Sequence, residues 1–240
     1  MSQAQDRVFD FGSCVDLHAV DFECPFGKIV PIASEHGFRG ITVTLDQLEE
    51  ISKVIKNNDS KSHLKVISTI DHPYGNLPIE LRIQSLKYAK RKGASEVEIS
   101  LPYRLLTESD INLINRDIMS IGAVSKELDM VTRYVIDPSY VDIPDKMRNW
   151  IYEQMRMNNI SGLVNTMESL SGDISLSDDI MILRDAKKCG LMIKAFVSSK
   201  DIENIAAYVK AGINILGFHW SDGPIIIHEY EEFLRQQNAT

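Results

Sequence analysis

Two patterns of hydrophobic and polar residues alternate along the chain. Short apolar or β-branched runs of five or six residues recur, and each is followed by a longer stretch with apolar residues at helical spacing. The runs are typical of buried β-strands and the longer stretches of amphipathic α-helices. Their spacing, about 23 to 35 residues, fits a strand–helix–strand unit. The candidate strands are 13–17, 40–44, 64–69, 96–100, 131–136, 161–165, 190–194 and 213–217.

Four of the helical stretches end in the same way, with a glycine just before the next strand. These glycines are Gly37, Gly93, Gly190 and Gly212, and basic residues tend to precede them. Glycine readily adopts the left-handed conformation that ends a helix, and cations interact favourably with the negative end of the helix dipole. The sequence therefore predicts helix ends at these four positions.

Eight alternating strand and helix segments, with no linker between them, predict a single domain. We expect residues 11–240 to form an α/β TIM (β/α)8 barrel, preceded by a flexible, polar N-terminal segment at residues 1–10. A doubly wound open sheet is the competing fold. That fold usually has a glycine-rich turn after its first strand, and the residues at 16–19 are Asp-Leu-His-Ala.

The composition narrows the class of protein. The chain is 44% hydrophobic and 25% charged, as is ordinary for a soluble domain. A net charge of -8 argues against a nucleic-acid partner, which requires a basic surface. No apolar run reaches the length of about 18 residues needed to cross a membrane, and no signal peptide is apparent, so we expect a cytoplasmic protein without a membrane partner. Three cysteines without metal-binding spacing suggest reduced thiols.

Two motifs carry a resemblance to a known family. Residues 93–106 resemble the fourth strand of the deoxyribose-phosphate aldolases, and His-Pro-Tyr-Gly-Asn at 72–76 resembles the turn after their third strand. The spacing between the two motifs also matches that family. Weaker similarity extends from 15–17 to 211–213, so the resemblance covers nearly the whole chain. It implies a class I aldolase barrel.

The resemblance also implies candidate catalytic residues. The first-strand aspartate of the family matches Asp16, its fourth-strand catalytic aspartate matches Glu98, and its seventh-strand lysine matches Lys194. The lysine that forms the Schiff base is replaced by Asn165, and an amide cannot form an imine. The chain therefore resembles a divergent member of the family that lacks the nucleophile.

The residues that bind phosphate in the family are replaced as well. The paired glycines after strand seven become Val197 and Ser198, and the small residues after strand eight become His219 and Trp220. Backbone N–H groups approach a phosphate less easily when the residue is not glycine. We therefore expect a small carbonyl compound as substrate and not a sugar phosphate.

The active site of a TIM barrel lies at the C-terminal ends of its strands, which we call the mouth. Five further residues near predicted strand ends are candidates for substrate binding, with a polar barrel lining as the alternative role for each. They are Asn165, Arg133, Asp137, His219 and His72.

Three roles are open for Lys194: an imine-forming amine, a charged group that binds substrate or assists catalysis, and a structural ion pair. The carboxylates expected nearby, Asp16 and Glu98, favour the ammonium form. The charged form is therefore the expected one.

A metal site is a weaker alternative. His18, His72 and His219 fall near three different strand ends, but no strand carries a His-x-His pair and no tight ligand spacing is present. We therefore expect neither a metal nor another cofactor.

Two functions remain open at this stage. One is an aldolase-like lyase, or a related enzyme that transfers a proton through an enolate. The other is an inactive barrel that serves as a binding or assembly subunit. The oligomeric state is open, with a homodimer as the arrangement that such barrels often adopt.

Overall fold

A computed structural model describes residues 11–58, 63–108, 110–137, 143–165, 176–197 and 201–238. Within these residues, eight parallel strands form a closed barrel in sequence order, and the last strand pairs with the first. The predicted TIM barrel is confirmed, and the closed sheet rules out the open doubly wound alternative. The expected flexible segment at residues 1–10 lies outside the described residues, as do Thr166 to Ser175 and Ser198 to Lys200.

The strands follow the predicted order, with bounds that differ from the predicted ones by at most two residues. They are β1 (Val15–His18), β2 (Gly40–Val43), β3 (Lys65–Ile70), β4 (Glu96–Ser100), β5 (Val131–Ile136), β6 (Gly162–Asn165), β7 (Met192–Phe196) and β8 (Ile215–His219). Strands β1, β7 and β8 each begin two residues later than predicted. Lys194 is consequently in the middle of its strand and not at the C-terminal end.

The helices lie between the strands in sequence, as predicted. In the described residues they are α1 (Phe26–Glu35), α2 (Leu48–Asn57), α3 (Ile79–Arg91), α4 (Tyr103–Thr107), α5 (Ile111–Glu127), α6 (Asp145–Met157), α7 (Leu176–Lys188), α8 (Ile202–Lys210) and α9 (Gly223–Asn238). None of these helices is both long and apolar enough to cross a membrane.

The four predicted helix ends are confirmed by the backbone. Gly37, Gly93, Gly190 and Gly212 have positive φ angles of 65°, 99°, 85° and 78°. Each follows the last residue of a helix by two positions. A residue with a side chain would be strained in this conformation, so glycine directs the chain from helix to strand.

The two faces of each strand have different surroundings. Residues such as Leu17, Ile41 and Leu163 are fully buried in the hydrophobic core, which also contains apolar residues of the helices. The alternate positions point into the barrel. Several of these positions are charged, among them Glu98 and Lys194. The barrel interior is therefore polar, while the layer around it is apolar.

At Gly122, α5 packs closely against the end of α6. A Cβ at this position would overlap with the carbonyl oxygen of Asn158, just beyond α6. We expect Gly122→Ala to lower the free energy of unfolding by about 1 to 3 kcal/mol, measured by urea denaturation. Gly27→Ala on α1 is the control, since no atom lies within 4 Å of its Cβ. Equal stability of the two variants would contradict close packing at Gly122.

Candidate active site

Lys194 is fully buried in the barrel interior and has three polar contacts. Its Nζ lies 2.6 Å from Glu98 Oε1 and 3.0 Å from Asp16 Oδ2. It also donates to Thr42 Oγ1, at 3.2 Å. An ammonium group has three N–H donors, so these three acceptors match its full capacity. To form an imine, Lys194 would have to become neutral and give up two buried ion pairs.

Asp16 is held by a second cation. Arg39, which directly precedes β2, donates from Nε to Oδ1 at 2.8 Å and from Nη2 to Oδ2 at 2.5 Å. Burial raises the pKa of the Asp16 carboxyl, but the charges of Lys194 and Arg39 more than offset this and lower its pKa below the ordinary value. Asp16 is therefore a permanently charged anchor for Lys194 and is poorly suited to acid–base catalysis.

The ion pairs continue through Glu96 on β4. Arg39 donates to both oxygens of Glu96, at 2.8 and 2.9 Å, and Lys65 approaches to 2.7 Å. Arg133 on β5 lies 2.5 Å from Glu96 and 3.6 Å from Glu98. Burial raises the pKa of Glu96, but the charges of Arg133 and Arg39 more than offset this and lower its pKa to about 2. The ion pairs thus form one connected network, which we call the interior network.

The interior network changes the expected role of Arg133. The sequence predicted a mouth residue that binds substrate, but Arg133 is fully buried near the middle of β5, against Glu96. Asp16 and Lys194, predicted as catalytic residues at the mouth, also lie within the barrel and not at the C-terminal strand ends. The shift in strand bounds is the physical reason for the difference at Lys194.

Three buried residues in or beside the interior network have side-chain oxygen or nitrogen atoms that form no hydrogen bond with the described residues. Glu98 uses Oε1 for Lys194, and its Oε2 has no hydrogen-bond partner among the described residues. The Ser100 hydroxyl, two positions further along β4, and both ring nitrogens of His18 on β1 are in the same situation. A buried polar group without a partner costs about 1 to 3 kcal/mol. Such groups need water or a ligand to satisfy them.

His18 is packed beside the interior network. Its ring meets Phe196 edge-on, with centroids 4.8 Å apart. A Cβ at Gly217 would lie 2.6 Å from His18 Nε2 and 3.2 Å from Lys194 Cε, so glycine leaves room for both side chains. Burial, assisted by the charge of Lys194, lowers the pKa of His18 well below its usual 6.5. The imidazole is therefore neutral at pH 7 and offers one donor and one acceptor.

The lowered pKa of His18 makes stability depend on pH. Below about pH 6.5 an unfolded chain protonates this histidine, while the folded protein keeps it neutral. The unfolded state then binds more protons, so the contribution of His18 is present above about pH 6.5 and is lost as the pH falls. We expect His18→Gln to flatten the decline in unfolding free energy between about pH 7 and pH 5. Parallel declines for both proteins would mean that folded His18 accepts a proton.

Asn165 does not face the barrel interior. Its amide donates to Asp179 Oδ2 on α7, at 2.8 Å, and accepts from the backbone N–H of Phe196, at 2.5 Å. Val164 is the residue in register with Lys194, and alternation turns Asn165 to the opposite face. Asp179 also accepts from Tyr208, and burial raises its pKa. Asn165, predicted to bind substrate, thus belongs to a polar cluster outside the barrel interior.

His219 lies at the mouth, as predicted, and is fixed by the loop after β1. Its Nε2 is 2.8 Å from Asp21 Oδ2, and Trp220 donates to the same oxygen from its indole, also at 2.8 Å. The side-chain amide of Gln47 in turn donates to the backbone carbonyl of Asp21. Bulky side chains thus occupy the last position of β8 and the position directly after it.

The other two candidates lie at the ends of β3 and β5. Asp137 is buried, and its backbone N–H donates to the Tyr103 hydroxyl at 2.5 Å. His72 is exposed in the turn after β3, yet its charge contributes to the lowered pKa of His18. No group of three His, Cys, Asp or Glu side chains in the described part of the chain is arranged to hold a metal ion.

Sequence reasoning missed part of the site. Arg39 and Glu96 were not among the candidates, although Glu96 and Glu98 stand two positions apart on one strand and so share a face. That spacing was the available signal. His18 was placed near the mouth, but nothing in the sequence indicated a buried imidazole that forms no hydrogen bond with the described residues.

Comparison with known proteins supports the predicted relationship. No family model matches the sequence. A deoxyribose-phosphate aldolase of Thermoanaerobacter sp. (strain X514) is 23% identical over 206 residues, covering 85% of this chain and 88% of that protein. Among solved structures, an aldolase called QR15 has a TM-score of 0.77 at 18% identity and covers 96% of this chain and 99% of its own. The tetrameric deoxyribose phosphate aldolase of Aeropyrum pernix has a TM-score of 0.73 at 20% identity, with 86% of each chain covered.

Proposed function

We propose that this chain, a divergent relative of the deoxyribose-phosphate aldolases, is an enzyme that transfers a proton next to the carbonyl group of a small substrate. Glu98 and His18 are its acid–base and hydrogen-bonding groups. Lys194 and Asp16 act as positioning residues that fix Glu98. The activity is enolate chemistry without an imine.

One observation carries this proposal: buried polar atoms without hydrogen-bond partners in the described part of the chain lie together at the interior network, where Nε and Nη1 of Arg133 are in the same situation as Glu98 and His18. Glu98 Oε2 and both nitrogens of His18 have no hydrogen-bond partner among the described residues. A barrel kept only as a scaffold gains nothing from such groups, because each lowers stability. A small substrate with a carbonyl oxygen and an acidic C–H bond would satisfy them.

The proposed chemistry uses the unmatched atoms directly. Glu98 Oε2 removes the proton from the carbon next to the carbonyl group, and the C–H electron pair becomes the enolate. The N–H of neutral His18 donates to the enolate oxygen as negative charge develops there. Exchange is complete when the proton on Glu98 is replaced by one from solvent and that one returns to the same carbon, and isomerisation when the proton returns to a different carbon. Attack of the same enolate on the carbonyl carbon of a second compound would form a carbon–carbon bond, and the proton on Glu98 would pass to the new alkoxide oxygen.

Lys194 is assigned a positioning role because its three donors already have acceptors. Its contact with Glu98 Oε1, at 2.6 Å, holds the carboxylate in place and leaves Oε2 to the substrate. Asp16, itself bound to Arg39, holds the Nζ of Lys194 from the other side, at 3.0 Å. An imine at Lys194 would dismantle this arrangement.

The substrate is proposed to be a small carbonyl compound without a phosphate. The relatives are named for deoxyribose phosphate, but here buried Val197 and the fixed side chains of His219 and Trp220 replace small residues. A cytoplasmic location and a homodimer remain part of the proposal. The tetramer of the Aeropyrum relative supports assembly in general and not this particular stoichiometry.

A second candidate is a non-catalytic barrel that binds or assembles with a partner. It is favoured by the extent of the interior network, in which Asp16 and Lys194 are fully buried and have matched charges. A barrel of this kind requires no substrate at its mouth. The two candidates differ in whether a carbonyl compound reacts.

Borohydride trapping separates proton transfer from imine chemistry. The protein is incubated with a panel of small aldehydes and 2-oxo acids, reduced, and examined by intact mass and peptide mapping. We expect no adduct on Lys194, because its ammonium form is held by two carboxylates. A reduced adduct at Lys194 with any member of the panel would replace the proposed mechanism by a Schiff base.

A further inference from the structure

A cavity lies outside the barrel, beside the loop that follows β3. Its volume is about 290 Å³, close to the lower end of the range of about 300 to 1,000 Å³ for ligand sites. It lies between the 75–79 segment, the start of α4 and the first half of α5. None of the residues assigned to the mouth lines it.

A glycine shapes one wall of this cavity. Gly75 has a positive φ of 66°, and a Cβ there would collide with the carbonyl oxygen of Leu101 just after β4. The loop after β3 therefore packs directly against the end of β4. Asp71 fixes the same loop, because its carboxylate accepts from the Leu77 backbone N–H at 3.0 Å.

The back of the cavity contains a buried arginine. Arg82 is 1% exposed and donates from Nη2 to the Ser100 carbonyl at 2.6 Å. Its Nη1 lies 3.1 Å from Asp117 and its Nε 3.6 Å from Asp71. Two carboxylates thus flank this one guanidinium, so the back of the cavity has an excess of negative charge and a ligand carboxylate has to lie at the rim.

At the rim of the cavity, unlike at its back, the arginines are exposed and not all of them are paired with other described residues. Arg104 forms an exposed pair with Glu108, at 2.8 Å, of the weak kind that a ligand can displace. Arg116 on α5 is exposed and makes no ion pair within the part of the chain that the structure describes. The rim therefore has one unmatched positive charge.

Backbone donors of α3 add to this charge. The helix begins at Ile79 after Pro78, and no side chain among the described residues caps its first turn. Ile79 lines the cavity. The N-terminus of this 13-residue helix, with the positive end of its dipole, therefore lies beside the same space, and its first turn also carries the exposed carboxylate of Glu80.

The remaining wall is apolar. Leu77, Leu105 and Leu113 line the cavity. Leu77 and Leu113 are 41% and 40% exposed. Leucines on the rim of a cavity, beside the unmatched charge of Arg116, form an amphipathic surface. Pro78 and Pro102 extend this apolar wall.

From this juxtaposition we infer a binding site for a small organic carboxylate with an apolar body. The carboxylate lies between the start of α3 and the guanidinium groups of Arg104 and Arg116. The apolar body lies against Leu77, Leu105 and Leu113. This inference is independent of the function proposed for the mouth, because the two sites share no lining residue.

Titration with matched small probes tests the inference. Hexanoate carries both features, acetate only the carboxylate, and hexanamide only the apolar body with a neutral head. Binding is followed through the backbone amide signals of the labelled protein by NMR. We expect saturable binding of hexanoate, at least about tenfold tighter than that of either control probe, with shifts at Ile79, Leu105 and Leu113. Shifts confined to His18, Lys194 and Phe196 would assign hexanoate to the mouth and overturn the inference.

Two arginine substitutions provide the test variant and its matched control. Arg116→Gln removes the unmatched charge at the rim, whereas Arg235→Gln removes an exposed arginine on α9 that pairs with Glu231. We expect the first to weaken hexanoate binding about tenfold and the second to leave it unchanged. Equal affinities in both variants, or no saturable binding to the folded protein, would overturn the assignment.

Discussion

Replacing Lys194 by methionine is expected to lower the free energy of unfolding by about 3 to 5 kcal/mol near pH 7, because it strands buried carboxylates. Asp16 keeps Arg39, at 2.5 Å, but Glu98 is left with Arg133 at 3.6 Å. The loss should therefore come mainly from Glu98. Urea denaturation of the two proteins gives the difference directly.

A double-variant cycle separates this cause from a simple packing defect. Adding Glu98→Gln to Lys194→Met removes the stranded charge, so most of the lost stability should return. Lys92→Met is the control: its ion pair with Glu49 has the same 2.6 Å distance but is largely exposed, and its removal should change little. If Lys194→Met unfolds no more easily than Lys92→Met, the interior network does not stabilise the barrel.

The second large effect concerns catalysis. We expect Glu98→Gln to slow exchange of the proton next to a substrate carbonyl by about 100- to 10,000-fold, because an amide cannot act as the base. The exchange rate is followed in D2O by the loss of the proton signal. Glu108→Gln on the surface should keep the full rate. A Glu98→Gln variant that exchanges as fast as the wild type would exclude Glu98 as the base.

A separate readout distinguishes the catalytic role of Glu98 from a structural one. Loss of its charge also weakens the hold on Lys194, so the stability of Glu98→Gln is measured beside the rate. Glu98→Asp keeps the charge but draws the carboxylate back. We expect it to recover part of the rate and to retain the pH dependence of the wild type. Absence of any recovery in a stable Glu98→Asp variant would favour a purely structural role.

The order of elements was predictable because it depends on local signals. Strand–helix spacing and the helix-ending glycines, such as Gly93 and Gly190, are contained in short stretches of sequence. The strand ends were less predictable. Parallel strands buried on both faces appear as continuous apolar runs, which do not show where pairing begins. Leu191, just before β7, is buried like a strand residue although the strand starts at Met192.

The same limit explains the difference at Asn165. An apolar run such as the one before it carries no alternation, so the sequence cannot show which face a residue takes. Register with Lys194 falls on Val164, one residue earlier. Matching Asn165 to the family nucleophile identified the lost lysine but not the direction of the side chain that replaced it.

The interior network could be predicted only in part, because its contacts join distant segments. The Lys194 contacts with Glu98 and Thr42 span 96 and 152 residues. The resemblance to the aldolases brought Asp16, Glu98 and Lys194 together. It carried no information on Arg39, so the second ion pair of Asp16 became apparent only in the folded structure. The positioning role that we propose for Lys194 follows from that ion pair.

Deuterium uptake by a panel of small ketones, aldehydes and 2-oxo acids in D2O is the most direct test of the proposed proton transfer. The wild-type protein should introduce deuterium at the carbon next to the carbonyl group of at least one compound, with no borohydride-reducible adduct on Lys194. A folded protein that leaves every compound unchanged would contradict the proposed enzyme and favour the non-catalytic barrel.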